Sequence, residues 1–169
     1  ADIAAKKIAL FSPEEQLLST ISLEKESHPS GLAMDAAAKR IYLADVGFNN
    51  VRVYDFSGAL LEEWGVRGTK PGEFNYPSDL DLAKDGHVYV LDAMNARVQV
   101  FDRTGKFLRS FGERGTEQGS FRVAKGIAGS PSGLVYVTDA LSHRFVVFNQ
   151  EGDYLLTIGG KVRFKDSSI

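Results

Sequence analysis

The sequence contains no cysteine, which excludes disulfide bonds, thiolate zinc sites, iron–sulfur clusters and c-type haem attachment within its 169 residues. No apolar stretch approaches the roughly 18 residues that a membrane-spanning helix needs. The first residues do not have the pattern of a signal peptide. The formal net charge is only -2, so the composition supplies no electrostatic footprint for nucleic acid. The length predicts one globular domain with a sizeable core.

Helical periodicity is also missing, since no stretch of useful length repeats apolar residues with the period of a helix. The sequence has instead short alternating runs of β-branched and aromatic residues, bounded by Gly, Asp and Asn. Residues 78–112 contain four such runs, separated by the turns KDGH, AMNA and RTG. Seventeen glycines and eleven phenylalanines fit many short strands joined by turns. These patterns predict an all-β chain.

The four-strand pattern recurs along the chain with a period close to 47 residues. Three kinds of residue mark each copy: an acidic residue after the second strand, a glycine in the second hairpin, and a large apolar residue that closes the fourth strand. The acidic residues are Asp2, Asp45, Asp92 and Asp139, the glycines are Gly58, Gly105 and Gly152, and the closing residues are Ile21, Trp64, Phe111 and Ile158. A four-stranded unit of about 40 to 50 residues is typical of a β-propeller blade.

The units resemble NHL repeats, whose pattern combines Pro-x-Gly, an apolar strand ending in Asp, an Asn-x-Arg turn, and a Phe-Gly pair before a glycine-rich connector. The residues that carry the resemblance are Pro29, Gly31, Asp92, Asn95, Arg97, Phe101, Phe111 and Gly112, with the connector RGTKPGEFNYP at 67–77. The copies depart from the pattern at Asn50, at Ser142 and His143, and at Ala124. The resemblance covers almost the whole chain and implies an NHL-type propeller of four-stranded antiparallel blades.

The repeat markers divide this single propeller domain into segments. We predict the outer half of a blade at 1–22, whole blades at 24–65, 76–112 and 122–159, and a tail or the start of another strand at 160–169. NHL propellers generally close with six blades, so the resemblance implies an incomplete ring. Three alternatives follow: the chain is part of a larger propeller, further copies or a partner complete the ring, or the arc is stable while open.

One rim of the arc has the residues of a binding surface. Antiparallel strand order places the connectors 65–77 and 112–124 on the same side as the turns 46–50, 93–96 and 140–143, and we call this rim the connector surface. Aromatic and arginine side chains on loops of a rigid scaffold are typical of interaction surfaces. The predicted partner-binding residues are Phe48, Asn49, Arg67, Tyr76, Asn95, Arg114, Arg122 and His143. The competing interpretation is structural: Phe74, Tyr76 and Phe121 plug gaps between blades, while Arg67 and Arg114 bond connector carbonyls.

Two sets of aspartates have more local roles. The repeated Asp2, Asp45, Asp92 and Asp139 are predicted to accept hydrogen bonds from the N–H groups of the following turn. Asp2, Asp92 and Asp139 also precede a basic residue by five positions, at Lys7, Arg97 and Arg144, which predicts partly exposed salt bridges. Asp79 and Asp81 lie two apart on an inner strand and therefore point the same way. They are the candidates for a calcium site, or else they bond water or backbone N–H groups.

These features predict a non-enzymatic module for protein–protein interaction or scaffolding, with no cofactor. Its partner is expected to be another protein, or a second copy bound through the open blade edges. The alternatives that the resemblance allows are a lyase with a metal near the propeller axis, and an RNA-binding domain. Histidines at equivalent inner positions would support the lyase, and His28, His87 and His143 lie in different phases of the repeat. The compartment stays open; Ala1 in place of Met and the lack of Cys mildly favour an exported, periplasmic or extracellular protein.

Overall fold

The fold is described from a computed structural model that defines residues 1–2 and 4–160. This part of the chain contains β-strands and one 3₁₀ turn, Ala93–Asn95, and no helix in it is long and apolar enough to cross a membrane. The all-β prediction is confirmed. Of the predicted segment 160–169, the residues from 161 onward lie outside the described part.

The strands form three four-stranded antiparallel sheets, in which each strand pairs with its neighbour in sequence, and two two-stranded sheets, of which one is antiparallel and the other is a short parallel pair within a connector. The antiparallel two-stranded sheet comes first and consists of β1 (Lys7–Phe11) and β2 (Leu17–Ser22). The second sheet contains β3 (Pro29–Asp35), β4 (Arg40–Asp45), β5 (Asn50–Asp55) and β6 (Leu60–Trp64). The third contains β7 (Pro77–Leu82), β8 (Val88–Asp92), β9 (Arg97–Phe101) and β10 (Phe107–Phe111). The fourth contains β13 (Ala124–Gly129), β14 (Val135–Asp139), β15 (Arg144–Phe148) and β16 (Tyr154–Gly159).

The core lies between successive sheets. Both faces of the second strand are apolar, so β4 and β8 are buried along almost their whole length. One cluster joins residues of β4 and β5, such as Tyr42 and Val53, to residues that include Leu80 and Phe101 in the third sheet. A second cluster repeats the arrangement 47 residues later, joining Tyr89 and Val100 to residues of the fourth sheet. Each sheet thus covers the face that its neighbour cannot bury alone, which is the packing of propeller blades.

The glycines and apolar residues that mark the repeat contact one another across the blade boundaries. A Cβ atom at Gly105 would overlap the ring of Trp64, and a Cβ at Gly152 would lie 2.6 Å from Phe111. In the first pair the contact is looser, with a Cβ at Gly58 lying 3.4 Å from Ile21. The repeated glycine therefore makes room for the side chain that closes the fourth strand of the preceding blade.

The ring is incomplete in the described residues, and both end blades expose apolar faces. Leu32 of β3 is 42% exposed, whereas its counterpart Leu80 is 3% exposed because a preceding inner strand covers it. At the other end Phe145 is 48% exposed, although its counterpart Val98 is fully buried. Met34, Leu156 and Ile158 extend these two open faces.

Candidate functional site

The connector surface is held in place by the repeated aspartates, three of which have fully buried side chains. Asp92 accepts a hydrogen bond from the Asn75 N–H at 2.7 Å, and Asp139 accepts one from Val123 at 2.9 Å. Asp45 accepts N–H bonds from both His28 and Gly47, each at 2.8 Å. The prediction that these carboxylates cap the following turn is therefore incomplete. At Asp92 and Asp139 the backbone donors come from the connector about seventeen residues upstream, so the carboxylate ties connector to blade.

Two of the three predicted salt bridges form, at Asp92 and Asp139, and they are partly exposed as expected, although the two carboxylates are fully buried. Arg97 Nε lies 2.9 Å from Asp92 Oδ2, and Arg144 Nε lies 3.3 Å from Asp139 Oδ2. The arginine side chains are only 15% and 13% exposed, because they also reach connector carbonyls of Glu73 and Ser120. These ion pairs thus form part of the scaffold. In the first repeat Asp2 accepts the Ala5 N–H at 2.9 Å, and Lys7 pairs with Asp2 through backbone bonds.

The environment of Asp139 favours its charged form. Burial alone would raise the pKa of this carboxyl group, but N–H donors from Val123 and Arg122 and the Arg144 guanidinium outweigh it, so the pKa is lowered. The carboxylate is therefore expected to stay charged, and the connector anchored, at neutral pH.

Each connector folds over a buried phenylalanine. The strands β11 (Glu113–Arg114) and β12 (Ser120–Phe121) pair in parallel within the second connector, and Arg67 pairs with Phe74 in the first. Phe74 and Phe121 are fully buried, so for them the gap-plugging interpretation is confirmed. Tyr76 is 44% exposed, so this interpretation does not explain it.

Tyr76 lies against the turn of its own blade, in which Met94 is also exposed, and we call these two residues an exposed apolar pair. The Ala93 N–H donates to the Tyr76 carbonyl at 3.1 Å, and the Met94 N–H donates to that of Asn75 at 3.0 Å. The Tyr76 N–H donates in turn to Asn49 Oδ1 of the preceding blade at 3.0 Å. Tyr76 has a φ of 64°, a left-handed conformation that bulky residues rarely adopt. Bonds to the turn of its own blade and to Asn49 of the preceding blade therefore fix the backbone of Tyr76 at the surface.

A second exposed pair, Val123 and Leu141, occupies the equivalent positions 47 residues later. The Ala140 N–H donates to the Val123 carbonyl at 2.9 Å, which brings the turn against the connector as in the preceding blade. Both pairs contribute large apolar side chains to the solvent-exposed surface, and Val66 adds a third position. Prediction from the sequence missed Val66, Met94, Val123 and Leu141. The spacing of 47 between Tyr76 and Val123, and between Met94 and Leu141, is the signal that could have found them.

Arginines flank these apolar pairs. Arg114 donates from Nη2 to the Met94 carbonyl at 2.8 Å, which belongs to a turn and not to a connector as the structural interpretation expects, and its side chain stays exposed. Arg122 precedes Val123 and is exposed, and Arg67 is exposed beside Val66. Arg114 thus lies beside Met94 of the first pair, while Arg122 and Arg67 are sequence neighbours of the exposed Val123 and Val66.

The remaining predicted residues are less available to a partner. Asn95 donates to the Gly68 carbonyl at 2.9 Å and to Asp92 at 2.8 Å, so its amide is engaged within the scaffold. The Phe48 ring is half-buried and lies under the Arg52 guanidinium, 4.8 Å from the ring centre. His143 is exposed and has a φ of 52° at the end of its turn. The binding role of every residue in the predicted set stays a prediction.

A cavity of about 620 Å³ opens beside Leu141 and is also lined by Arg122 and His143. In the preceding repeat, the counterpart of Leu141 is Met94, which the following connector contacts through Arg114. The cavity therefore lies at the position that the following connector occupies in the preceding repeat.

The inner aspartates join neighbouring blades. Asp79 Oδ2 accepts the Ile127 N–H at 2.9 Å, and Asp81 Oδ2 accepts the Gly129 N–H at 2.6 Å. Burial raises the pKa of Asp79, although the N–H donors partly offset it. These bonds match the backbone alternative for the two carboxylates, and the calcium alternative stays untested.

The histidines do not converge in the described part of the chain. His87 pairs with Asp85 at 2.8 Å on the rim opposite the connector surface, whereas His28 and His143 lie on the connector side. Among residues 1–2 and 4–160, no group of three or more His, Asp or Glu side chains has a geometry that could hold a metal ion.

Comparison with known proteins identifies the class of the chain. Residues 74–101 match the family model of the NHL repeat, which confirms the predicted resemblance. The chain is similar to the human E3 ubiquitin-protein ligase NHLRC1, with 29% identity over 63 residues, which is 37% of this chain and 16% of that protein. The chain is therefore a β-propeller that carries an NHL repeat.

Solved structures support the same fold. A streptogramin B lyase superimposes with a TM-score of 0.73 and 14% identity, covering 95% of this chain and 50% of the lyase. A catalytically inactive virginiamycin B lyase from Staphylococcus aureus, determined with quinupristin, gives 0.71 and 16% identity over 94% of this chain and 50% of that one. Identities this low establish the fold alone. The chain spans about half the length of these lyases.

Proposed function

We propose that the chain is a non-enzymatic NHL-type propeller module that binds a protein partner through its connector surface. The observation that carries the proposal is the placement of exposed apolar side chains on one rim. Tyr76 and Met94 form one exposed pair, and Val123 and Leu141 form the other. Exposed apolar side chains grouped together and bordered by polar residues are typical of interaction sites.

The strained conformation of Tyr76 supports the same proposal. A non-glycine residue in the left-handed region costs about 1–2 kcal/mol, and Gly or Asn would fit the position at lower cost. An exposed aromatic side chain at a strained position is retained for something other than folding stability, and contact with a partner supplies a reason.

The experiment that tests the proposal compares two rims of one molecule. A photo-crosslinking amino acid is placed at Tyr76 and, as a control, at Lys84 in the exposed turn of the opposite rim. A protein that cross-links from position 76 but not from position 84 is identified and purified. Its affinity is then measured for the wild-type chain and for a variant with Arg67, Arg114 and Arg122 all changed to Glu. We expect a loss of about tenfold or more, as for charges at an interface. An unchanged affinity would refute the assignment of this surface.

Self-association through the open blade faces is a second candidate, favoured by the exposed Phe145, Leu156 and Ile158. These side chains occupy the face that packs on the next blade elsewhere in the arc. Light scattering of the purified chain distinguishes the candidates, because Phe145→Asp is expected to abolish self-association and to leave partner binding at the connector surface intact. A monomeric wild-type chain at all concentrations would eliminate this second candidate.

A further inference from the structure

We propose that the connector surface recognises an extended acidic–apolar protein segment, whose apolar side chains contact the two exposed pairs and whose carboxylates contact the neighbouring arginines. This inference rests on the proposed function and names the chemistry of the partner. It is argued from the repetition of the pairs, their exposure and the distribution of charge.

The two apolar pairs are equivalent positions of neighbouring blades, so they present similar contacts in succession. Tyr76 and Val123 come from the ends of the two connectors, and Met94 and Leu141 come from the turns that these connectors contact. Met94 is 57% exposed even though the following connector is in place, so its exposure is not a consequence of the open end. A ligand that reaches both pairs must cross a blade boundary, which favours an extended segment over a compact small molecule.

The composition of the first pair suits an adaptable contact. The Tyr76 ring offers a large rigid face at low entropic cost, and the Met94 thioether is flexible and polarisable. Such residues are typical anchor points for apolar side chains of a partner. The bonds from Ala93 and Met94 to the connector fix the backbone beneath the pair, so little ordering is required on binding.

Arginine is positioned to meet carboxylates at these pairs. Arg114 is held over the turn by one hydrogen bond to the Met94 carbonyl at 2.8 Å, so its guanidinium lies beside the first pair. Arg122 is adjacent in sequence to Val123 of the second pair and its side chain is exposed. A guanidinium presents several N–H donors in a fork that fits a carboxylate.

The distribution of acidic residues favours an anionic partner on this rim. The connectors contain Glu73, Glu113 and Glu117, and Glu73 is already engaged by the Thr69 and Lys70 N–H groups at 3.0 Å. The turns of the opposite rim are richer in acids. These are Asp35, Asp55, Asp85, Asp102, Glu151 and Asp153. The overall negative charge of -2 is therefore not concentrated on the connector surface.

The test uses four labelled synthetic peptides and fluorescence anisotropy with the whole chain. Three peptides share two spaced leucines and differ in having Asp, Lys or Ser between and beside them, and the fourth keeps Asp but replaces both leucines with Ala. We expect the Asp–Leu peptide to bind about tenfold more tightly than the other three. Its affinity is expected to fall about fivefold or more with Arg114→Glu and with Tyr76→Asn, and to be unchanged with Lys84→Glu. Tyr76→Asn is chosen because Asn tolerates the left-handed conformation, and thermal melts verify that each variant folds.

The outcomes separate this inference from the proposed function. Equal affinity for the Asp, Lys and Ser peptides, or no effect of Arg114→Glu, would overturn acidic recognition, while sensitivity to Tyr76→Asn would leave the connector surface as the binding site. Binding that no connector-surface variant weakens would overturn both. Absence of binding by all four peptides at millimolar concentration would also overturn this inference, and the protein cross-linked from Tyr76 would still decide the proposed function independently.

Discussion

Replacing Gly105 by Ala tests how neighbouring blades fit together. Gly105 has a φ of 78°, and an added Cβ would overlap the ring of Trp64 in the preceding blade. The left-handed conformation costs about 1–2 kcal/mol for Ala. Overpacking against the partly buried Trp64 ring costs about 1–3 kcal/mol more. The free energy of unfolding is therefore expected to fall by about 2–5 kcal/mol, which lowers the melting temperature by about 2–4 °C per kcal/mol in a chain of this size.

Gly72 offers a matched control for the same substitution. Its φ of 79° is nearly identical, and a Cβ at Gly72 would meet no atom within 4 Å. Gly72→Ala therefore carries the conformational cost without the overlap, and a loss of about 1–2 kcal/mol is expected. Chemical and thermal denaturation of the two variants measure the difference. Equal destabilisation by both substitutions would refute the inter-blade contact between Gly105 and Trp64 as the reason for the repeated glycine.

Three further predictions concern the anchoring aspartates, the strained tyrosine and the inner strand. Asp139→Asn is expected to destabilise the fold by about 3 kcal/mol, because it leaves the partly buried Arg144 without its countercharge. Since the pKa of Asp139 is lowered in the fold, the contribution of its carboxylate to folding stability is fully present above the ordinary Asp pKa range. That contribution is lost as pH falls through the pKa of the folded state. Denaturation between about pH 6 and 3 should thus show a smaller fall in unfolding free energy for the variant than for the wild type. Parallel plots of unfolding free energy against pH for the two proteins would contradict this account. Tyr76→Asn is expected to change the unfolding free energy by no more than about 1 kcal/mol, because relief of strain offsets lost packing; a loss above 3 kcal/mol in a melt would make Tyr76 a structural residue. Calorimetry with calcium is expected to give no binding heat, because Asp79 and Asp81 already accept backbone N–H bonds, and a heat abolished by Asp79→Asn would reverse that conclusion.

The repeat made three features predictable from the sequence. These are the strands, their antiparallel order and the rim on which the connectors lie. The glycines, aspartates and closing apolar residues recur because each has a partner in the blade architecture, as Gly105 and Trp64 illustrate. Periodicity identifies such positions without revealing their partners. The link from Asp92 to Asn75 could not be predicted, because it depends on the path of a connector that crosses back over its own blade.

The solvent exposure of individual side chains was harder to predict than the strands and their order. Phe74 and Tyr76 are two residues apart in the same connector, yet the first is fully buried and the second is 44% exposed. The difference arises because Phe74 enters the gap beneath Gly65, while the left-handed conformation at Tyr76 turns its side chain outward. Local composition does not encode that difference. For the same reason, the exposure of Met94 and Leu141 was not predicted from the sequence.

The most direct test of the account is a hydrogen–deuterium exchange footprint of the chain with the partner that cross-links from Tyr76. The account predicts slower amide exchange in the connectors 65–77 and 112–124 and in the turns 93–96 and 140–143, with unchanged exchange in the turns of the opposite rim. Protection confined to the opposite turns, or to the open faces of β3 and β16, would contradict it.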